Sequence, residues 1–351
     1  MMRVAIIDAD LVVRKRHRFP NLACMKISSY HKNRGDYVEL LTSFQIIGWD
    51  KVYVSKVFTD TEVPEEILTA SNVTYGGTGF FYDQAPDLPP EIEHAFPDYH
   101  LYDEWVQAKL DTGGNRKDFV YYLDYSIGFL TRGCFRKCSF CVNRKYDRCV
   151  PHSPLSEFMD PDRPKLCFLD DNFFACPKWR EIIQDVQNTG KRFQFKQGLD
   201  ERLLTDEKIH AMMNWKYDGD FIFAFDNIED RQIIEKKLQR VRELYPENRK
   251  NLRFYVFCGY NNTGGDDIQT VFERATILRK YNALPYVMRY KAVYVSRWEG
   301  MYANLAAWCN QPAFFRKTTF REFCIKRGKA ARRYMEEFEQ EYPEIAKEYF
   351  G

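Results

Sequence analysis

Three cysteines fall within eight residues, at Cys134, Cys138 and Cys141, directly after the apolar run at residues 125–130. Gaps of three and then two residues let one loop fold around a single object with every sulfur turned inward. That object is expected to be a metal or a metal cluster. Soft thiolate ligands favour an iron–sulfur cluster or zinc over hard cations. With three protein sulfurs, one iron of a cubane keeps an open coordination position, the condition for chemistry rather than scaffolding. The placement constrains the fold as well, because in α/β barrels the chemistry sits on loops that follow strands.

Two other sites draw on the same stretch. Zinc needs a fourth ligand, and Cys149 and His152 follow; a four-cysteine electron-transfer cluster would also use Cys149. Structural zinc sites usually join two close ligand pairs, and bacterial ferredoxin runs have two-residue gaps and a proline after the last cysteine. Neither spacing fits well, and Cys149 reads as a bystander. The pattern C-x3-C-x-aromatic-C, with Phe140 as the aromatic, resembles the signature of the radical S-adenosylmethionine (SAM) superfamily. The resemblance implies that Cys134, Cys138 and Cys141 ligate a [4Fe-4S] cluster and that Phe140 lies against the SAM adenine. It further implies an enzyme that cleaves SAM to methionine and a 5'-deoxyadenosyl radical acting on an unidentified substrate. An electron donor such as a flavodoxin or ferredoxin goes with that chemistry.

A length of 351 residues suggests two domains, or one large domain with an appendage, at ~150 residues each. Aromatic residues make up 16% of the chain, which suits large packed cores and buried ligand pockets. The net charge of +2 provides no field towards nucleic acid or a membrane. Two basic runs, Arg14-Lys15-Arg16-His17-Arg18 and residues 327–333, read as solvated faces or as contacts for an anionic partner, the first being the better candidate because it follows a strand. No stretch reaches the ~18 apolar residues of a membrane span, and Asp8 comes too early for a signal peptide. A cytoplasmic protein with reduced thiols is therefore expected, its ten cysteines serving a cluster rather than disulfides.

Along the chain, residues 3–8 read as a buried parallel strand, followed by a loop with Pro20. A helix is expected over 36–46, a strand over 51–57, a short helix over 63–69 and a strand from 73 into Gly76-Gly77-Thr78-Gly79, a turn or a phosphate cradle. This alternation predicts a Rossmann-like α/β domain. Such a domain precedes the barrel in the cobalamin-binding branch of the radical SAM superfamily, which the order here resembles. The branch's motif D-x-H-x-x-G is missing around His17 and His31, so cobalamin is not expected. The expected organisation is a Rossmann-like domain with a proline-rich linker (1–118), a barrel (119–295) and a helical C-terminal cover (296–351).

Six strands, at 125–130, 165–169, 192–197, 220–225, 252–258 and 284–289, alternate with helices and fit the partial (β/α)6 TIM-like barrel of the superfamily. The resemblance places Asp170, Asp171 and Asn172 where the second strand's end holds the SAM amino group; the alternative for Asp171 is a cap on a helix at 179–187. Gln197, Asp200 and Arg202 occupy positions that face the SAM ribose and carboxylate, Arg202 gripping a carboxylate or forming a salt bridge. Asp226 ends the fourth strand as a further cofactor contact. The aromatic C-terminal region, with Trp298 and Trp308, would shield a reactive radical. Two rivals remain: a non-catalytic iron–sulfur or zinc protein that binds a partner, and an RNA-modifying methylthiotransferase, against which the near-neutral charge counts.

Overall fold

Strand β1 (Arg3–Asp8) is apolar from Val4 to Ile7 because both of its faces are covered. Ile6 packs with Met25, Ile92 and Tyr102 in one cluster, while Ala5 and Ile7 pack with Val52, Val54 and Ile67 in another. A strand buried on two sides loses the alternation of a half-exposed one. With β2 (Tyr37–Leu40), β3 (Lys51–Ser55) and β4 (Val73–Gly76) it forms an all-parallel sheet in the order β2-β1-β3-β4. The order reverses between β1 and β3, and ligands of open α/β sheets bind beyond the strand ends at such a point. This computed structural model describes residues 1–351 except Gln197, Asn248 and Arg249; Gln197, an expected SAM contact, therefore lies outside the described residues.

Two local expectations are corrected. The helix lies at Leu22–Asn33, where a loop was expected, and Tyr37–Leu40, expected to be helical, is a strand. Asn21 starts the helix by accepting from Ala23 N at 3.1 Å and Cys24 N at 3.3 Å, and Gly35 turns the chain out at φ 80°. Pairing Arg3–Ile6 against Tyr37–Leu40 then satisfies the backbone and lets Val38 and Leu40 pack on the core, which overrides local propensity. Residues 84–118, expected as linker, carry helices Pro90–Glu93 and Asp103–Asp111 and supply Ile92, Tyr99, Leu101, Tyr102 and Val106 to the first cluster.

All six strands expected between 119 and 295 are present. β5 (Tyr125–Gly128) precedes two short strands, β6 (Thr131–Arg132) and β7 (Val150–Pro151), which pair antiparallel and join the two ends of the cysteine loop. β8 (Lys165–Phe168) pairs parallel with β5, and β9 (Arg192–Phe195) completes the order β5-β8-β9. The chain divides into two compact units, Met1–Phe193 and Gln194–Gly351, inside β9.

In the second unit, β10 (Phe221–Ala224), β11 (Leu252–Cys258) and β12 (Leu284–Arg289) form a parallel sheet in sequential order. Just past β9, Leu199 N donates to Ile222 O at 2.7 Å. The buried Arg274 ties strand ends together by donating to the carbonyls of Phe225, Asp226 and Phe257. The C-terminal region is helical, with Thr319 and Glu322 forming a capping box and Trp308, Phe320, Phe338 and Phe350 buried. The fold is mixed α/β with parallel sheets, and no helix of the described residues is long and apolar enough to cross a membrane.

At the C-terminal end of β1, Asp8 is fully buried, with Tyr102 Oη donating at 2.9 Å and His17 Nε2 standing 3.3 Å away. Burial, ahead of the opposing Tyr102 hydrogen bond, pushes Asp8 up to about 7. Burial pushes His17 down to about 4. Both shifts favour the neutral forms, so the close contact is not an ion pair. Arg14 and Arg18 of the same basic run pair with Asp60 and Asp118.

A raised carboxyl binds more protons folded than unfolded, so Asp8 contributes stability below its unfolded pKa that is lost as pH rises through about 7. His17 acts oppositely, its contribution being lost as pH falls from its unfolded value through about 4. Wild type should therefore lose stability relative to Asp8→Asn between pH 4 and 7, as read by urea midpoints at each pH. A difference constant across that range would show that Asp8 titrates alike in both states.

Candidate metal centre

The loop that carries the three cysteines is entered through Gly133, at φ 92°, where a Cβ would stand 2.3 Å from Arg148 O. Only glycine accommodates that turn and approach. Within the loop, Cys141 N donates to Cys138 O at 3.0 Å. Backbone and side-chain N–H groups reach the sulfurs: Arg136 N and Asn172 Nδ2 lie 3.4 Å from Cys134 Sγ, and Asn143 N lies 3.3 Å from Cys141 Sγ. Donors on sulfur favour the thiolate that metals and clusters require. Against them, burial pushes the Cys141 thiol up and outweighs the Asn143 N–H.

Exposure separates these three cysteines from the rest. Cys134, Cys138 and Cys141 are half-buried, whereas the other seven are buried, and no disulfide joins any of them. Cys149, which a zinc or four-cysteine site would need, is buried beside the Thr131 hydroxyl and Cys176, and burial pushes it up to about 12. Among the described residues no group of three or more His, Cys, Asp or Glu side chains is gathered tightly enough to hold one metal ion.

Two carboxylates at the end of β8 hold the loop. Asp170, 1% exposed, accepts from Leu130 N at 3.1 Å, Thr131 N at 2.7 Å and Thr131 Oγ1 at 2.5 Å. Asp171 accepts from Gly133 N at 2.7 Å and Asn143 Nδ2 at 2.5 Å. Asp170 thus fixes the approach to the loop, and Asp171 ties its entrance to its far side. Burial raises both, Asp170 to about 7, despite hydrogen bonds that act the other way; in Asp171 the Arg132 charge also opposes the rise. Asp171 caps no helix, since helix Trp179–Asn188 begins at Lys178 without a side-chain cap. Asn172, the third residue, is the one that donates to Cys134.

A second clamp comes from residues 82–87. Tyr82 Oη donates to Phe140 O at 2.5 Å, Arg144 Nε to Asp83 at 3.0 Å and Lys145 Nζ to Asp87 at 2.6 Å. Tyr82 adopts φ 51°, an uncommon backbone for a non-glycine residue. The aromatic position of the motif is therefore held through its carbonyl. These clamping residues are not readable from the motif, because the contacts span 58 to 61 positions. Opposite charges at Asp83, Asp87, Arg144 and Lys145 are the only hint in the sequence.

In the second unit, Arg202 Nε donates to Asp200 at 2.8 Å and Nη1 to Asp230 at 2.6 Å. The salt-bridge arrangement of Arg202 is thus present. Between them, Glu201 is 2% exposed, neither oxygen has a hydrogen-bond partner among the described residues, and burial raises it well above the usual carboxylate range. Glu201 escapes sequence reasoning because an acid in a polar run looks solvated. Asp226 accepts from Phe257 N at 3.0 Å at the strand ends that Arg274 ties. Burial raises it too.

In metal-free protein, iodoacetamide should label Cys134, Cys138 and Cys141 in the native state and the other seven cysteines only after unfolding. Asp171→Ala leaves two donors without their acceptor, an expected cost of ~1–3 kcal/mol, and should speed labelling of the three loop cysteines several-fold while Cys149 and Cys176 stay protected. Peptide mass mapping reads both; equal labelling of Cys149 and Cys138 in the native protein would refute the exposure contrast. Compared with known proteins, the sequence matches no family model and no curated protein.

Proposed function

We propose that the chain is a radical SAM enzyme, with Cys134, Cys138 and Cys141 as the protein ligands of a [4Fe-4S] cluster. The observation that carries this reading is the loop itself: the only three cysteines that are not buried, on one loop after a strand, with N–H donors directed at the sulfurs of Cys134 and Cys141. When bound there, the cluster supplies the electron that cleaves SAM to methionine and a 5'-deoxyadenosyl radical, for hydrogen abstraction from the substrate.

The protein's part is to hold and enclose. Asp170 and Asp171 fix where the loop leaves β5 and keep its backbone N–H groups from rearranging, and Tyr82 fixes the Phe140 carbonyl on the side assigned to the adenine. Asn172 adjusts electron density at Cys134 through its N–H donor, a lever on cluster potential. Because the oxygens of both Asp170 and Asp171 already accept hydrogen bonds, their role in this reading is to brace the strand end and the loop, while Asn172 reaches the Cys134 sulfur. The fold belonging to this function is the partial (β/α)6 barrel, supported within one unit by the parallel pairing of β5 with β8 and within the other by the parallel strands β10, β11 and β12. A reducing cytoplasm belongs to this reading, as does a flavodoxin or ferredoxin as electron donor, which the chemistry of SAM cleavage requires in some form.

Anaerobic reconstitution followed by dithionite and SAM should yield 5'-deoxyadenosine, and Cys138→Ala should abolish it. A protein loaded with about four irons per chain that gave no product and no spectral change with SAM would instead mark the loop as a structural or electron-transfer site.

A further inference from the structure

A cavity of about 440 Å³ lies at the C-terminal ends of β3 and β4, against helix Leu22–Asn33 and the residues just past Cys141. That is the size of small-molecule sites, which are mostly apolar with a few placed polar groups. Its walls include Ile27, Tyr53, Leu88, Ile92 and Val142, with Ser55 and Asn143 among the polar groups. It also lies at the sheet edge where a doubly wound fold receives ligands.

The charges around it are uneven. Lys26 pairs with Glu93 at 3.0 Å and Lys145 with Asp87 at 2.6 Å, so each carboxylate of the lining has its own lysine. Arg132, the third cation of the lining, stacks on Phe129 at 4.0 Å and has no carboxylate or other hydrogen-bond partner among the described residues. The field of Asp171 reaches it, but the Asp171 oxygens are taken by Gly133 N and Asn143 Nδ2. A guanidinium stacked on a ring keeps its N–H edge available for a planar two-point contact with an anion.

We infer that this cavity binds a small organic anion, with an apolar or aromatic body against the aliphatic wall and one anionic group on Arg132. Val142 and Asn143 directly follow Cys141, which places the occupant against the cysteine loop. Its identity as the substrate rests on the radical SAM reading; the binding site does not.

The test uses full-length, metal-free protein without SAM, so that its failure is distinct from a failure of the radical chemistry. Fluorescence titration with anilinonaphthalene sulfonate, an aromatic anion, is compared with neutral phenylnaphthylamine, and circular dichroism verifies the fold of each variant. Arg132→Gln should weaken the sulfonate about tenfold or more and leave the neutral probe within about twofold. Ala23→Phe, placed on the half-buried lining of the helix, should weaken both probes by filling the space. Sulfonate binding that survives both substitutions in folded protein, or an equal loss of both probes in Arg132→Gln, would overturn the assignment.

Discussion

Two adjacent carboxylates at the end of one strand hold the candidate centre. Asp170 and Asp171 accept five hydrogen bonds between them, four of these from the residues that lead into and open the cysteine loop and one from Asn143 on its far side. A buried carboxylate is a poor source of net stability, because leaving water costs about what its partners return. The raised pKa values record that cost. What the pair supplies is geometry: a 17-residue excursion from Gly133 to Cys149 is pinned at its entrance and again across its middle, with the β6–β7 ribbon closing its base.

The same economy recurs elsewhere in the molecule. Arg274, buried and tied to three carbonyls, does for the strand ends of the second unit what Asp170 does in the first. Its partners are acceptors and those of Asp170 are donors, which is the complementarity expected where parallel strands run out of ladder partners at their ends. Asp8, Tyr102 and His17 form a third such group under the N-terminal sheet. Glu201 stands apart, buried with neither oxygen hydrogen-bonded among the described residues. An unpaired buried carboxylate is kept neutral by its surroundings, so its proton is held well above the usual carboxylate range.

Charge placement shows why whole-chain numbers say little about binding. The net charge of +2 carries no sign of an anionic ligand, yet the cavity beside the cysteine loop keeps one guanidinium with no ion-pair partner among the described residues. The basic run after β1, which looked the better anion contact in the sequence, spends Arg14 and Arg18 on Asp60 and Asp118. One arginine in a two-residue strand has no local pattern, and what distinguishes Arg132 is that the carboxylates nearby are engaged by other partners.

Sequence alone located the cysteine loop, all six strands between residues 119 and 295 and the first strand, because apolar runs of strand length and close cysteine spacing are local signals. It also placed Asp170, Asp171 and Asn172 at the end of a strand, and the structure brings them against the cysteine loop. The misplaced helix at 36–46 and the underestimated packing of residues 84–118 came from segments whose structure depends on a partner: Tyr37–Leu40 is a strand because β1 offers a ladder, and the proline-rich stretch is ordered because its aromatic residues cover one face of the sheet. The tertiary structure alone decided that Asp171 braces a loop rather than capping a helix, that Tyr82 holds Phe140, and that Arg132 has no ion-pair partner among the described residues. Each of these joins residues far apart in the chain, and contacts at that separation are set by how sheets and helices stack, which no local periodicity encodes.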